Sequence, residues 1–212
     1  MSPEEIRARE KICEFGRILY ERHLAHGTAG NISVKLEDGV LVTPTNSCLG
    51  RLDPADISKL DRRGQHVSGK PASKESFLHE VSYRRRPQDT AVVHLHSAHS
   101  VAVSCLHHDR VDNVLPALTA YHVMRVGRLP LVPYFPPGDR SLAEAVAEIE
   151  DDARAVLLAN HGPIVSGESL EGAVYAIEEL EETAKLFLML RGEKTVPLTS
   201  DQINALNQTF KS

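Results

Sequence analysis

The chain has no tryptophan, only five tyrosines and five phenylalanines, and three cysteines among its 212 residues. Cys13, Cys48 and Cys105 are odd in number and far apart, with no Cys-x-x-Cys pair, which argues against a disulfide framework and a cysteine zinc site and leaves inert thiols as the expectation. An excess of positive charge is also missing. With 24 Lys and Arg against 29 Asp and Glu, a formal net charge of -5 and a pI near 6.1, the chain has no broad basic field for nucleic-acid phosphates. No stretch reaches the roughly 18 apolar residues of a spanning helix, and Met1 to Arg9 is charged where a signal peptide is apolar. The expectation is a cytoplasmic protein with neither a membrane nor a nucleic acid as partner.

What the chain does have is a hydrophobic fraction of 42%, a charged fraction of 25% and 11 histidines. The mean hydropathy of -0.24 is that of a soluble folded protein. This length suits one domain with a sizeable core, and no linker rich in Gly, Ser or Pro and no internal repeat divides it, so residues 1–212 are expected to form a single domain.

Ser2-Pro3-Glu4-Glu5 supplies an N-cap, a proline at N1 and a glutamate at N3. Ile6, Cys13, Leu19, Tyr20 and Leu24 then predict a helix to about His26. The small polar loop Gly27 to Asn31 feeds a hairpin, Ile32 to Lys35 and Val40 to Thr43, across an Asp38-Gly39 turn. Short strands follow at Lys59-Leu60 and Gln65 to Val67. Ser73 reads as the cap of a helix closed by Pro87, with Glu75 in its first turn. Thr90 to His96 reads as a buried strand leading directly into a helix at Ala98 to Cys105. Pro116 to Val126 is ambiguous, and Leu129 to Phe135 is a proline-punctuated edge strand. A helix at Leu142 to Ile149, a strand at Ala153 to Leu158, a turn at Asn160-His161-Gly162 and a strand end at Val165-Ser166 come next. A long amphipathic helix at Leu170 to Leu190 and a tail from Glu193 to Ser212 with one short helix complete the chain. Hairpins interrupted by helices point to an α/β sheet that is mostly antiparallel, with helices on its faces. A doubly wound parallel sheet is the weaker alternative, because strict alternation of strand and helix is missing.

Residues two apart on a strand face the same side, so His94 and His96 present both imidazoles together. His161, in a turn after a second apolar strand, offers a third nitrogen, and Glu75 at a helix start offers an oxygen. Three imidazoles and a carboxylate suit zinc. Taken alone, a His-x-His pair at a strand end is more often two half-exposed polar residues than a metal site; its combination with the Asn160-His161-Gly162 turn puts the two readings level. His79, four residues after Glu75 on the same helix face, reads as a packing or supporting residue. The metalloprotease helix motif is absent, since Tyr83 stands where its second histidine would be. The loops Gly27 to Asn31, Thr43 to Ser47 and Ser73-Lys74 carry small residues, hydroxyls and free backbone N–H groups, which can wrap an anion or serve only as turns and caps. Three such loops beside a metal site point to a phosphorylated substrate.

Gly27-Thr28-Ala29-Gly30-Asn31-Ile32-Ser33, Thr43-Pro44-Thr45, Ser73-Lys74-Glu75, His94-Leu95-His96 and Asn160-His161-Gly162, in this order, resemble the class II aldolase and adducin head-domain family over nearly the whole chain. The resemblance implies a three-layer α/β/α fold with a mostly antiparallel central sheet, assembled as a homotetramer with active sites between subunits. It implies metal binding by His94, His96 and His161, with Glu75 as both ligand and acid/base. The family's phosphate loops fall on Thr28, Gly30, Asn31, Thr45, Asn46, Ser73 and Lys74. A catalytic tyrosine from a neighbouring subunit matches Tyr121 most nearly, with His122 as a possible stand-in. Asn46 and Lys74 depart from the aldolases, which have glycine and serine there. The wording of Thr43 to Leu49, Lys70 to Ser76 and Leu129 to Tyr134 is more similar to the 3-oxo-tetronate 4-phosphate decarboxylase branch. That branch implies a zinc-dependent decarboxylation to dihydroxyacetone phosphate and CO2, with another divalent metal able to use the same ligands. The alternatives are a fuculose or rhamnulose 1-phosphate aldolase, a ribulose-5-phosphate 4-epimerase, and an adducin-like assembly module without chemistry. The role of Lys74, on phosphate, on the departing carboxylate or on neither, stays open.

Overall fold

The computed structural model describes residues 1–136, 138–149 and 153–210. Helix α1 (Pro3–Glu21) starts as its capping sequence requires, with the Ser2 hydroxyl accepting the Glu5 N–H at 3.1 Å. A meander of β1 (Asn31–Leu36), β2 (Gly39–Val42), β3 (Ser58–Asp61) and β4 (His66–Ser68) follows, then α2 (Ser76–Arg85), β5 (Ala91–His94) and α3 (Ala98–Ser104). Beyond these lie α4 (Ala120–Arg125), β6 (Leu131–Val132), α5 (Ser141–Ala147), β7 (Ala155–Leu158), β8 (Gly162–Gly167), α6 (Leu170–Met189) and α7 (Ser200–Thr209). The strands form one sheet in the order β4-β3-β2-β1-β5-β8-β7-β6, antiparallel throughout except for the β6–β7 pair.

Alternation along the buried strands divides the apolar side chains between two layers. Ala91 and Val93 of β5, with Ala155 and Leu157 of β7, pack with Ile12 and Leu19 of α1 and Ile177 and Leu180 of α6. Their neighbours Val92, Val156 and Leu158 pack on the opposite face with Leu78 and Val81 of α2 and Leu142 and Val146 of α5. Each fully buried leucine or isoleucine contributes about 1.5–3 kcal/mol of transfer free energy, so both faces of the sheet are held. The result is the expected three-layer α/β/α arrangement with a mostly antiparallel sheet.

Among the boundaries that differ from the sequence reading, four have an identifiable local cause. Helix α1 stops at Glu21, short of His26, because His23 takes a left-handed φ of 61°. The His23 N–H then bonds to the Tyr20 carbonyl and the Leu24 N–H to the Leu19 carbonyl, each at 3.0 Å, which closes the helix as a Schellman motif. Helix α2 begins at Ser76 with Glu75 as N-cap, so Ser73 is not its cap. The Ser73 N–H instead donates to the Thr43 carbonyl at 3.1 Å, and its hydroxyl accepts the Glu75 N–H at 3.3 Å. Strand β5 ends at His94, and β6 keeps only Leu131 and Val132 between the ring-locked Pro130 and Pro133, which have no N–H for a ladder. The ambiguous Pro116 to Val126 resolves into α4, capped by the Thr119 hydroxyl on the His122 N–H at 3.1 Å. The tail forms α7, while Lys211 and Ser212 lie outside the described residues.

Candidate metal centre

Glu75, His94, His96 and His161 each direct one ligating atom into a group whose members all lie within 4.8 Å of one another. His94 Nε2 stands 3.1 Å from His96 Nε2 and 3.3 Å from His161 Nε2. Glu75 closes the set, with Oε1 3.3 Å from His161 Nε2 and Oε2 3.6 Å from His94 Nε2. Three nitrogens and an oxygen so placed form a donor set fit for a divalent ion of the zinc type. His94 Nδ1–H donates to the Pro163 carbonyl at 2.8 Å, which fixes the tautomer and turns the bare Nε2 inward. Burial pushes the His94 pKa down, against the opposing field of Glu75, and pushes His96 down to about 3 with His94 and His161 adding to the effect. Neutral imidazoles are the ligating form. Burial opposes ionisation of Glu75. The hydrogen bond with His161, the nearness of both histidines and the Asn31 amide outweigh it and hold the carboxyl far below its ordinary range.

Each of the three histidines is placed by its own local device. His94 ends β5, between β1 and β8, opposite Asn31 and Ile164. His96 lies past the strand end, yet its ring returns to meet His94 edge-on at 5.0 Å between centroids. The segment after His96 is pinned by Glu181 of α6, whose buried carboxylate accepts the backbone N–H groups of His99 and Ser100 at 2.8 and 2.9 Å and the Ser100 hydroxyl at 2.6 Å. Glu181 thereby caps α3, because Ser97 makes no side-chain capping bond. His161 projects from the β7–β8 turn, in which Asn160 takes a φ of 55° and Gly162 one of 154°. A Cβ on Gly162 would overlap the Leu95 carbonyl oxygen, so only glycine lets this turn close on the segment between His94 and His96.

The three candidate anion loops converge on the same end of the sheet. Thr45 N–H donates to the Pro71 carbonyl at 2.9 Å, and Pro44 bridges Ala72, so the Thr45-Asn46 and Ser73-Lys74 segments lie side by side. The third loop reaches them because the Ile32 N–H donates to the Thr43 hydroxyl at 3.2 Å. Gly30, at a φ of 87°, packs against the His94 carbonyl, where a Cβ would sit 3.0 Å away. Thr28, Asn46 and Lys74 are exposed and Thr45 is half-buried. Asn31 differs from the other loop residues, being 4% exposed with its side chain engaged on both sides. Its Nδ2 donates to Glu75 Oε2 at 2.8 Å, and its Oδ1 meets His79 Nε2. Tyr121 stands apart from the cluster on α4, 59% exposed, with Arg125 stacked 6.0 Å over its ring and 5.7 Å over that of Tyr175. His122 is buried, and its Nδ1 finds no hydrogen-bond partner among the described residues.

Sequence reasoning missed Ser33, Tyr83 and Glu181 as supports of the site. Two of them had a signal. Asn31 and Ser33 are polar residues two apart on one face of a strand, and Glu75, His79 and Tyr83 recur every four residues on one face of a helix. Two polar stripes at those periods announce a buried strand–helix contact. Glu181 shows nothing comparable, since an acidic residue in a charged helix usually faces solvent.

The sequence profile of the class II aldolase and adducin N-terminal domain matches residues 10–188. A 3-oxo-tetronate 4-phosphate decarboxylase of Escherichia coli K12 is 48% identical over 199 residues, spanning 93% of this chain and 94% of its own length. An L-fuculose phosphate aldolase from the same organism is 37% identical over 193 residues, spanning 89% of this chain and 87% of its own. The crystal structure of YgbL from Escherichia coli superposes with a TM-score of 0.92 at 46% identity, covering 95% of this chain and 98% of that one.

Proposed function

The chain belongs to the class II aldolase and adducin family, and from that premise we propose that it is a metal-dependent carboxy-lyase converting a 3-oxo-tetronate 4-phosphate to dihydroxyacetone phosphate and CO2. The observation that carries this reading is the intact donor set of His94, His96, His161 and Glu75 in a chain 48% identical to a decarboxylase of that name. The donor set weighs against an adducin-like role in assembly alone. The substrate places a ketone β to a carboxylate. When the C1–C2 bond breaks, CO2 leaves and the electron pair moves through C2 and C3 to the ketone oxygen, giving an enediolate. A bound divalent ion supplies electrophilic polarisation of the ketone and stabilises that charge. Zinc is our choice for the ion, because its borderline softness suits three imidazoles and a carboxylate.

Glu75 is assigned as the acid/base as well as a ligand. Because Glu75 rests as a carboxylate, it acts as a relay: it takes up a proton from solvent, passes it to C2 of the enediolate to complete dihydroxyacetone phosphate, and returns to the carboxylate. Thr28, Gly30, Thr45, Asn46, Ser73 and Lys74 are assigned to the phosphate and acid end of the substrate, supported by the convergence of their three loops beside His94. Lys74, exposed beside Ser73, is assigned to the phosphate or to the departing carboxylate. The Asn31 side chain retains only its second amide N–H for such a role, because Glu75 and His79 engage the rest. Exposure of Tyr121 beside Arg125 and Tyr175 supports its assignment as a residue donated to the site of a neighbouring copy, and with it a homotetramer. No described helix is long and apolar enough to cross a membrane, and a cytoplasmic location fits that composition.

The test is an assay of zinc-loaded protein with 3-oxo-tetronate 4-phosphate, following CO2 and dihydroxyacetone phosphate together, beside an EDTA-treated control. Equal, metal-dependent release of both is expected, with no aldehyde product. Faster turnover of L-fuculose 1-phosphate to lactaldehyde would replace the decarboxylase reading with the aldolase one.

A further inference from the structure

Behind Glu75 runs a buried chain of side chains, Asn31, His79, Ser33 and Tyr83, that touches none of the three histidine ligands through a hydrogen bond. Their exposures are 4%, 1%, 0% and 8%. Asn31 Nδ2 lies 2.8 Å from Glu75 Oε2, Asn31 Oδ1 meets His79 Nε2, His79 Nδ1 lies 2.7 Å from Ser33 Oγ, and Ser33 Oγ lies 2.7 Å from the Tyr83 hydroxyl. For a neutral His79, only one arrangement of protons satisfies every link. A carboxylate can only accept, so the Asn31 amide must present its nitrogen to Glu75 and its oxygen to His79. His79 Nε2 must then carry the proton. Complete burial pushes the His79 pKa down to about 3, so the ring is neutral and its Nδ1 is bare. Ser33 must therefore donate to Nδ1, and the Tyr83 hydroxyl must donate to Ser33. Every donor points towards Glu75.

An asparagine amide can turn over at small cost unless its partners distinguish oxygen from nitrogen. Here the wrong orientation would set the amide oxygen against the carboxylate and the amide nitrogen against the imidazole N–H. We propose that His79, oriented by Ser33 and Tyr83, is a positioning residue that locks the Asn31 amide with its nitrogen on Glu75 and so keeps the Glu75 carboxylate aimed at the histidine cluster. The lock rests on Glu75 acting as ligand and acid/base in the reaction proposed above. Its architecture is a strand–helix match: Asn31 and Ser33 face α2 together from β1, and Glu75, His79 and Tyr83 descend one face of α2 and its N-cap.

The first test needs no substrate. Nitrogen-15 histidine spectra of the metal-free protein should show His79 as the neutral tautomer protonated on Nε2; a proton on Nδ1 or a cationic ring overturns the proposal. The second compares His79→Leu, which removes the donor, with His79→Gln, whose amide nitrogen can take the place of Nε2. Cobalt(II) titration of metal-free protein should show roughly 10- to 100-fold weaker binding for His79→Leu and recovery to within about threefold for His79→Gln, the usual scale for a lost partner of a ligand. With substrate, kcat of His79→Leu should fall by a similar factor while KM stays within about threefold. Wild-type behaviour of His79→Leu, or equal damage in both variants, would overturn the lock. Should His79→Leu not fold, Ser33→Ala decides the question: weakened cobalt binding supports the lock and unchanged binding removes it. If wild-type protein leaves the 3-oxo acid untouched while the tautomer and cobalt results hold, the substrate reading fails and the lock stands.

Discussion

Gly162 lies against the carbonyl of Leu95, so the turn that carries His161 touches the residue between His94 and His96. Backbone contact at this point sets the spacing of the three imidazoles. A methyl group there has nowhere to go, because the neighbouring atom is main chain and the φ of Gly162 is 154°. Gly162→Ala is therefore expected to lower cobalt(II) affinity at least tenfold, on the scale of a displaced ligand partner. Asn160→Gly, which removes only an exposed side chain from a left-handed position, should leave affinity nearly unchanged. Titration of the two metal-free variants checks the difference, and equal affinities would remove the contact from the account of the site.

Removing a ligand and removing an acid have different signatures. His94→Ala and His161→Ala should purify with less than stoichiometric metal. Glu75→Gln keeps an oxygen ligand but loses the carboxylate that takes up and passes on a proton, so it should retain metal and lose about 10²- to 10⁴-fold in kcat. Metal analysis beside steady-state kinetics separates the roles, and equal metal loss in all three would merge them.

The histidine cluster was legible because its signals are local: a pair two residues apart on a strand, and a glycine-bounded turn. The layered fold was legible in the same way, from strand alternation and proline punctuation. The end of α1 was not, since a left-handed His23 is a choice made by the Schellman bonds and not by residue type. Ser73 looked like a cap by composition, yet pairing with Thr43 recruited it into the loop contact and moved the helix start to Ser76. Glu181 was illegible for a further reason: its partners, His99 and Ser100, lie about eighty residues away and exist as a helix end only in the folded chain.

Acid should destabilise the metal-free protein through its buried neutral histidines. His79 and His122 ordinarily titrate near 6.5, but burial pushes them down to about 3 and about 4. As pH falls below 6.5 the unfolded chain takes up protons that the folded one refuses, so stability is full above that value and declines beneath it. Each such group accounts for about 1.4 kcal/mol per pH unit until its folded pKa is reached. His122→Phe should flatten the pH dependence of urea unfolding between pH 6 and 4 by up to about that slope. Parallel curves for variant and wild type would mean that His122 titrates alike in both states.

Arg9 joins α1 to the meander from a position only 2% exposed. Its guanidinium bonds Glu5 Oε1 at 3.0 and 2.8 Å and the Ile57 and Pro54 carbonyls at 2.6 and 3.1 Å. Arg9→Met takes the donor from the Ile57 and Pro54 carbonyls but leaves Glu5 paired with Lys59, whose Nζ lies 2.9 Å from Oε2, so the expected cost is about 1–3 kcal/mol. Glu5→Leu with Arg9→Met should recover only part of the loss, because the two carbonyls stay without that donor while Lys59 keeps Asp38 as its partner. Chemical denaturation of both variants measures this, and a single-variant cost below about 1 kcal/mol would show water reaching the gap.

His161 follows His94 by 67 residues, and the two meet only when β8 lies beside β5. During synthesis the emerging chain therefore carries a two-imidazole site long before it carries a three-imidazole one. Two imidazoles alone would make a weaker divalent site than the full set of donors. On the metal-dependent reading proposed above, tight capture would wait for the hairpin of β7 and β8 to dock, so the identity of the ion would be settled against the metal pool at the end of folding, when the protein's geometry is already in place to choose.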